Sequence, residues 1–456
     1  MKKSITLAAA VLLAAIGPVF SGELRTDLAA FDRGFGDIKQ LLSCMDVPEA
    51  SGARPAGGEK KARPVKEWTV MVYMNGKNDL EAAGLLDLDE MERVGSSGQV
   101  NIVAEWGRMS GQAGDISGLD GDWTGSRRYY VVNDLAPEKI KSRVLQKLPS
   151  VDMGDWRHLA DFANWGMKNY PAKRYALIVW NHGSGWKTSK AAVNKGISYD
   201  FETKNHISTP ELGLAMKAIG KVDVLAFDAC LMQMAEVAWE VREQADFIVG
   251  SEESVPGLGL PYDYFLGLLS LEGRVMEPEQ FSRMMVEGYT AFYASHKSST
   301  TLSVLRTSAL PGFSEVLNAW TDAMLASGRD GELKGLFPKT NKYDDTDFKD
   351  LYDFARRVEA LDEAGPLGRS SRALMAAIDG GVVIKNSAYA GGYYPDRLSR
   401  GLSIYLPEAG YDSKYDQLAW AKASRWDEFL KRMREVALPR PADTGACTDP
   451  GPGAGL

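Results

Sequence analysis

The sequence predicts an α/β protein built on a mostly parallel sheet with helices on both faces. Three observations carry that prediction. Short apolar runs at 70–74, 100–106, 175–180, 222–227 and 247–250 alternate with stretches of helical length, the pattern of repeated βαβ units. Between the runs at 175–180 and 222–227 lie a Gly-rich loop and a helix-length segment, about the content of one crossover between parallel strands. Two triplets, Asn181-His182-Gly183 and Asp228-Ala229-Cys230, directly follow those same two runs. Open parallel sheets build their sites at the carboxyl ends of their strands.

Taken in order, residues 1–21 read as a secretory signal. Lys2 and Lys3 form the basic start, 7–16 the apolar stretch and Val19-Phe20-Ser21 the cleavage site. Leu41-Leu42-Ser43-Cys44 has the form of a lipidation box but lies too far from that apolar stretch. Residues 22–66 form an extension: one amphipathic helix over 24–45, then a Pro/Gly/Ala-rich charged linker. The compact part starts near Trp68 with the strand 70–74. Asn75-Gly76-Lys77-Asn78-Asp79 is a turn, with Asp79 placed as the cap of a helix over 80–93. A helix over 156–169 buries Leu159, Phe162 and Trp165 and is ended by Pro171. A helix over 209–219 joins the two site strands, and Cys230 opens another over 231–244. The C-terminal half adds helices at 279–295, 310–326, 347–361 and 369–378 and strands at 301–305, 382–386 and 402–406. Residues 438–456 have the composition of a disordered tail.

Composition narrows the function classes. The chain has 456 residues, 45% hydrophobic and 25% charged, with a formal charge of −8, which argues against nucleic acid or an anionic membrane as the main partner. No stretch after the signal has transmembrane length without charges. An exported protein, periplasmic or extracellular, follows. Of three cysteines, Cys230 is needed free in the chemistry below. Cys44 and Cys447 are then either a disulfide joining the two ends of the chain or two separate exposed thiols.

A thiolate attacks a carbonyl well and a neutral thiol poorly, so position and partners must lower the cysteine pKa. A helix N-terminus after Cys230 would supply partial positive charge. His182 would take the thiol proton and return it to the leaving amine. Gly183, without a side chain, lets its N–H approach a substrate oxygen, and with the Cys230 N–H it would form an oxyanion hole. A lone cysteine after an apolar strand is usually a small core residue; the matched positions of histidine and cysteine on successive strands are what favour catalysis. The spacing of about fifty residues is also that of caspases. His158, His206 and His296 have no metal-ligand spacing, and no GxSxG elbow, phosphate loop or EF-hand loop occurs.

These residues resemble the clostripain family of cysteine peptidases, in the clan of caspases, legumains and gingipains. The stretches that carry the likeness are VMVYMNGKNDLE (70–81), DFANWGMKNYPAKRYALIVWNHGSGW (161–186), GISYD (196–200), DACLMQMAEVAWE (228–240), SEESVPGLGLPYDYF (251–265), DLYDFA (350–355) and GLSIYLP (401–407). The resemblance implies a caspase-like core over 67–270, a smaller mixed C-terminal extension over 271–437, His182 as base and Cys230 as nucleophile. It also implies cleavage after Lys or Arg. Asp228 matches an acid of the specificity pocket, its alternative being a turn or helix-start residue. The family's second pocket acid aligns with Gly257-Leu258-Gly259, where this chain has no acid, although Glu252, Glu253 and Asp263 are near. Lys187, Lys190 and Lys195 stand in the loop where relatives are cleaved during activation; the alternative is a plain solvated loop. The chemistry requires no cofactor. Calcium dependence occurs in the family, and Asp344, Asp345 and Asp347 are clustered but lack the loop Gly and terminal Glu of a calcium loop. The expected activity is an exported endopeptidase acting on protein or peptide substrates through a thioester acyl-enzyme. Its rivals are an inactive peptide-binding pseudo-peptidase and a legumain-like transpeptidase.

Overall fold

The computed structural model describes residues 65–112, 115–116, 120–136, 139–187, 196–271, 275–389 and 399–436. The signal, the extension and linker up to residue 64, Lys190, Lys195, Cys44, Cys447 and the tail lie outside the described residues.

Thirteen strands are described: β1 (Lys66–Gly76), β2 (Val100–Arg108), β3 (Gly125–Tyr130), β4 (Arg143–Leu148), β5 (Ala172–Trp180), β6 (Ile197–Asp200), β7 (Asn205–Ile207), β8 (Val222–Asp228), β9 (Ala245–Gly250), β10 (Thr300–Arg306), β11 (Phe348–Asp350), β12 (Val383–Tyr389) and β13 (Ser403–Tyr405). Nine of them form one sheet in the order β12-β10-β9-β8-β5-β1-β2-β3-β4. The five central strands, β9 to β2, are parallel, and both edges are antiparallel. The fold is therefore the expected α/β class with a large, mostly parallel sheet. The C-terminal half contributes β10 and β12 to this sheet, while β11 and β13 form a separate two-stranded sheet.

Successive residues along the central strands face opposite sides of the sheet, and both sides are covered. Met71, Tyr73, Leu177, Val179, Leu225 and Phe227 face one core, together with helices α2 (Trp156–Asn169), α3 (Thr209–Ile219) and α4 (Ala235–Val241). Val70, Val72, Ile178, Trp180, Val224 and Ala226 face the other, with α1 (Glu81–Val94), α5 (Tyr262–Leu269) and α6 (Pro278–His296). Each fully buried Leu, Ile or Phe there stabilises the fold by about 1.5–3 kcal/mol relative to exposure. Asp155 caps α2 by accepting the Arg157 N–H, and Ser208 and Glu211 form a capping box on α3.

Two expectations about helix starts are corrected. α1 begins at Glu81 after Leu80 with no side-chain cap, so Asp79 does not cap it. The helix after Cys230 begins only at Ala235. Leu231 adopts a left-handed φ of 63°. The Gln233 carbonyl accepts the Ser403 N–H, and Met234 bridges to Ser403. Pairing with Ser403 of β13 keeps 231–234 out of the helix.

Candidate active site

The register of the sheet positions the site. Trp180 at the end of β5 pairs with Asp228 at the end of β8. His182 and Cys230 therefore leave two neighbouring parallel strands at the same offset of two residues. The Asn181 N–H still donates to the Asp228 carbonyl at 3.1 Å, so the strands stay zipped up to the triplets. A Cβ on Gly183 would lie 2.3 Å from the Cys230 carbonyl oxygen, so the histidine loop packs on the cysteine backbone where only glycine fits. Gly183 also pairs with Ile197 in an antiparallel bridge.

The histidine side is held by amides and carboxylates. Asn181 donates through Nδ2 to the Asn75 carbonyl at 2.5 Å and accepts the Tyr199 N–H at 2.7 Å. The His182 Nε2 lies 2.8 Å from Asp79 Oδ1. This bond holds the Asp79 carboxyl below the usual carboxylate range. The imidazole also meets the Tyr199 ring edge-on at 6.4 Å between centroids.

The cysteine side is different. Cys230 is half-buried, and its Sγ accepts the Val255 N–H at 3.2 Å. Burial pushes the thiol above its ordinary pKa, and Asp228 and Asp344 push the same way, against the Val255 amide and Ser254. No hydrogen bond among the described residues joins the thiol to the imidazole. The expected lowering by a helix end is absent because α4 starts five residues further on.

Asp228 is buried beneath the site. It accepts from the Leu260 N–H at 3.1 Å and the Tyr262 hydroxyl at 3.0 Å, and burial raises its pKa to about 6. Asp87 of α1 lies beside it and accepts the Trp180 Nε1–H at 2.5 Å. Burial, then the like charges of Asp228 and Glu90, push Asp87 well above the usual range. The loop 257–259 does lie on Asp228, since a Cβ on Gly259 would come 2.8 Å from its Oδ2. The three nearby acids are engaged elsewhere: Glu252 accepts the Gly401 N–H, Glu253 the Ser254 and Asp344 N–H groups, and Asp263 pairs with Arg93.

Lys187, in the loop after the histidine, is tied to Asp345 and Asp347 at 2.7 Å each. Asp344 accepts from the Ser254 hydroxyl. In the acidic cluster at 344–347, Asp345 and Asp347 thus hold the Lys187 ammonium, and no group of three or more His, Cys, Asp or Glu side chains that could hold a metal ion occurs among the described residues. Reading the sequence missed two partners: Asp79 for His182 and the Val255 amide for Cys230. The signal for Asp79 was its place in the 70–81 stretch, just after the first core strand.

The model of the clostripain family matches residues 72–433. Clostripain of Hathewaya histolytica is 31% identical over 213 residues, 43% of this chain and 40% of its own length, so the match spans about two-fifths of that relative. A secreted C11 cysteine protease from Bacteroides thetaiotaomicron, solved with an irreversible peptide inhibitor, superposes with a TM-score of 0.61 at 21% identity, covering 79% of this chain and 99% of that one. An inactive zymogen C11 protease from Parabacteroides distasonis gives 0.59 at 21% identity, covering 79% and 99%. At that identity these two likenesses speak to the fold.

Proposed function

The chain belongs to the clostripain family, and from that premise we propose that it is an exported cysteine endopeptidase that cleaves after Lys or Arg. The observation that carries this reading is the equal offset of His182 and Cys230 beyond the paired residues Trp180 and Asp228 on adjacent parallel strands. In the reaction the imidazole takes the Sγ proton, and the thiolate attacks the scissile carbonyl carbon, forming the C–S bond. The oxyanion is met by the Gly183 and Cys230 N–H groups. Collapse breaks the C–N bond, the imidazolium protonates the leaving amine, and water hydrolyses the thioester. No cofactor is required. Asp228, ionised above pH about 6, is the carboxylate offered to the substrate cation, and the absence of an acid at Leu258 argues against strict Arg preference.

The high thiol pKa and the missing imidazole–thiol bond suit a resting single chain awaiting cleavage within 187–195. Because the Lys187 ammonium is held by two carboxylates, Lys190 and Lys195 are the favoured points of self-cleavage. The same two observations also suit an inactive peptide-binding relative. No helix among the described residues is long and apolar enough to cross a membrane. Export itself rests on the signal at 1–21. Titration of the purified mature protein with an acyloxymethyl ketone carrying Lys or Arg decides between the readings. Stoichiometric labelling of Cys230 and cleavage of a peptide library after basic residues are expected. An unlabelled thiol with no hydrolysis leaves the peptide-binding reading.

A further inference from the structure

We propose that Asp79 is a positioning residue for His182: it accepts the Nε2–H and so leaves Nδ1 as the ring nitrogen that serves the Cys230 thiol. The inference deepens the peptidase reading and rests on it. Asp79 Oδ1 lies 2.8 Å from Nε2. Helix formation does not explain the residue, because α1 has no side-chain cap and the Leu80 N–H is taken by Asn78 Oδ1 at 2.9 Å. The loop that carries Asp79 is pinned from both sides. Asn75 Oδ1 accepts the Lys77 N–H at 3.1 Å, and Asn78 donates to the Tyr199 carbonyl at 2.8 Å. The Lys77 ammonium is fully buried against Asp200 at 3.0 Å.

An acceptor held this firmly selects one tautomer of the ring and one orientation. An anionic acceptor also stabilises the imidazolium formed when the thiol gives up its proton. The titratable side chains bonded to or ring-packed against the imidazole, among the described residues, are Asp79 and Tyr199, with Cys230 on the neighbouring strand end. Burial raises Tyr199 well above its ordinary range and its hydroxyl pairs with Ser184, so it adds no charge near neutral pH. Among the described residues, Asp79 is therefore the one charge bonded to the ring. Its side chain is 39% exposed, which makes the expected effect smaller than for a fully buried orienting acid.

The test uses the full chain with Asp79→Asn and Asp79→Glu. It reads kcat and KM on Lys- and Arg-containing fluorogenic peptides, and which ring nitrogen of His182 carries the proton by NMR, assigned with His182→Ala. Asp79→Asn should lower kcat roughly 10- to 100-fold at unchanged KM and shift the ring away from the Nε2–H tautomer, while Asp79→Glu recovers part of both. An unchanged kcat overturns the proposal. A fall in kcat with an unchanged tautomer marks a merely structural role and overturns it too. If the wild-type chain hydrolyses nothing, the peptidase reading fails on its own, and the ring tautomer alone decides whether Asp79 governs the ring.

Discussion

The two strand ends that build the site are made in different ways. Beyond β5 the polar groups are tied to elements from the first two hundred residues: Asn181 to Asn75 and Tyr199, His182 to Asp79, Asn78 to Tyr199. Beyond β8 the chain turns through a left-handed Leu231 and takes its partners from later in the sequence. The Cys230 thiol meets Val255, and Gln233 meets Ser303 and Ser403. The His182 side is thus held by a dense network of hydrogen bonds, each buried one contributing about 1 kcal/mol net. The state of the Cys230 thiol depends on burial and on Val255, Ser254, Asp228 and Asp344 around it.

The largest expected effect breaks the comparison outright. Cys230→Ala and His182→Ala should each lower peptidase activity by several orders of magnitude, since base and nucleophile act as a unit. Both should keep a wild-type circular dichroism spectrum and melting temperature within a few degrees. Undiminished hydrolysis in pure Cys230→Ala protein would sink the dyad.

A smaller effect lies beneath the cysteine. Asp228→Asn should reduce the kcat/KM ratio of Lys over Leu substrates roughly tenfold to a hundredfold, the worth of a charge-assisted contact. In the wild type the same preference should fade as pH falls through about 6, where Asp228 takes up its proton. Equal cleavage after Leu and Lys in the wild type would remove Asp228 from the pocket.

The link between the two sides is Lys187. Intact-mass analysis should show two fragments from the wild type, cut after Lys190 or Lys195, and one chain from Cys230→Ala. Replacing both Asp345→Asn and Asp347→Asn should add cleavage after Lys187 by freeing its ammonium. A fully active, uncut wild-type chain would end the self-cleavage proposal.

The smallest effect is on stability. The folded pKa of Asp228 lies above its unfolded value, so the folded state binds the proton more tightly. Stability from this group is present below about pH 4 and lost as pH rises through about 6. Asp228→Asn should therefore melt a few degrees above wild type at pH 8, with the gain shrinking toward pH 4. Thermal scans across that range check the sign.

Much of this molecule was legible in its sequence. The apolar runs at 70–74, 175–180 and 222–227 are strands, and the triplets after the last two do meet, because a strand and the turn that ends it are specified by neighbours in the chain. The runs at 301–305 and 382–386 are strands as well, although that they close one edge of the main sheet was not legible. Other features were decided by contacts between distant residues. The helix over 231–244 has good local composition, yet its first turn is taken by Ser403. Asp79 has the form of a helix cap, yet a histidine about a hundred residues later takes its carboxylate. The thiol was expected to be acidic, yet burial, with Asp228 and Asp344 beside it, sets it the other way. Local sequence determines which segments are strands and where they stop, since backbone hydrogen bonding and side-chain periodicity act over a few residues. The partners and pKa values of the polar groups at those stops depend on which remote segments bury them, and only the packed structure decides that.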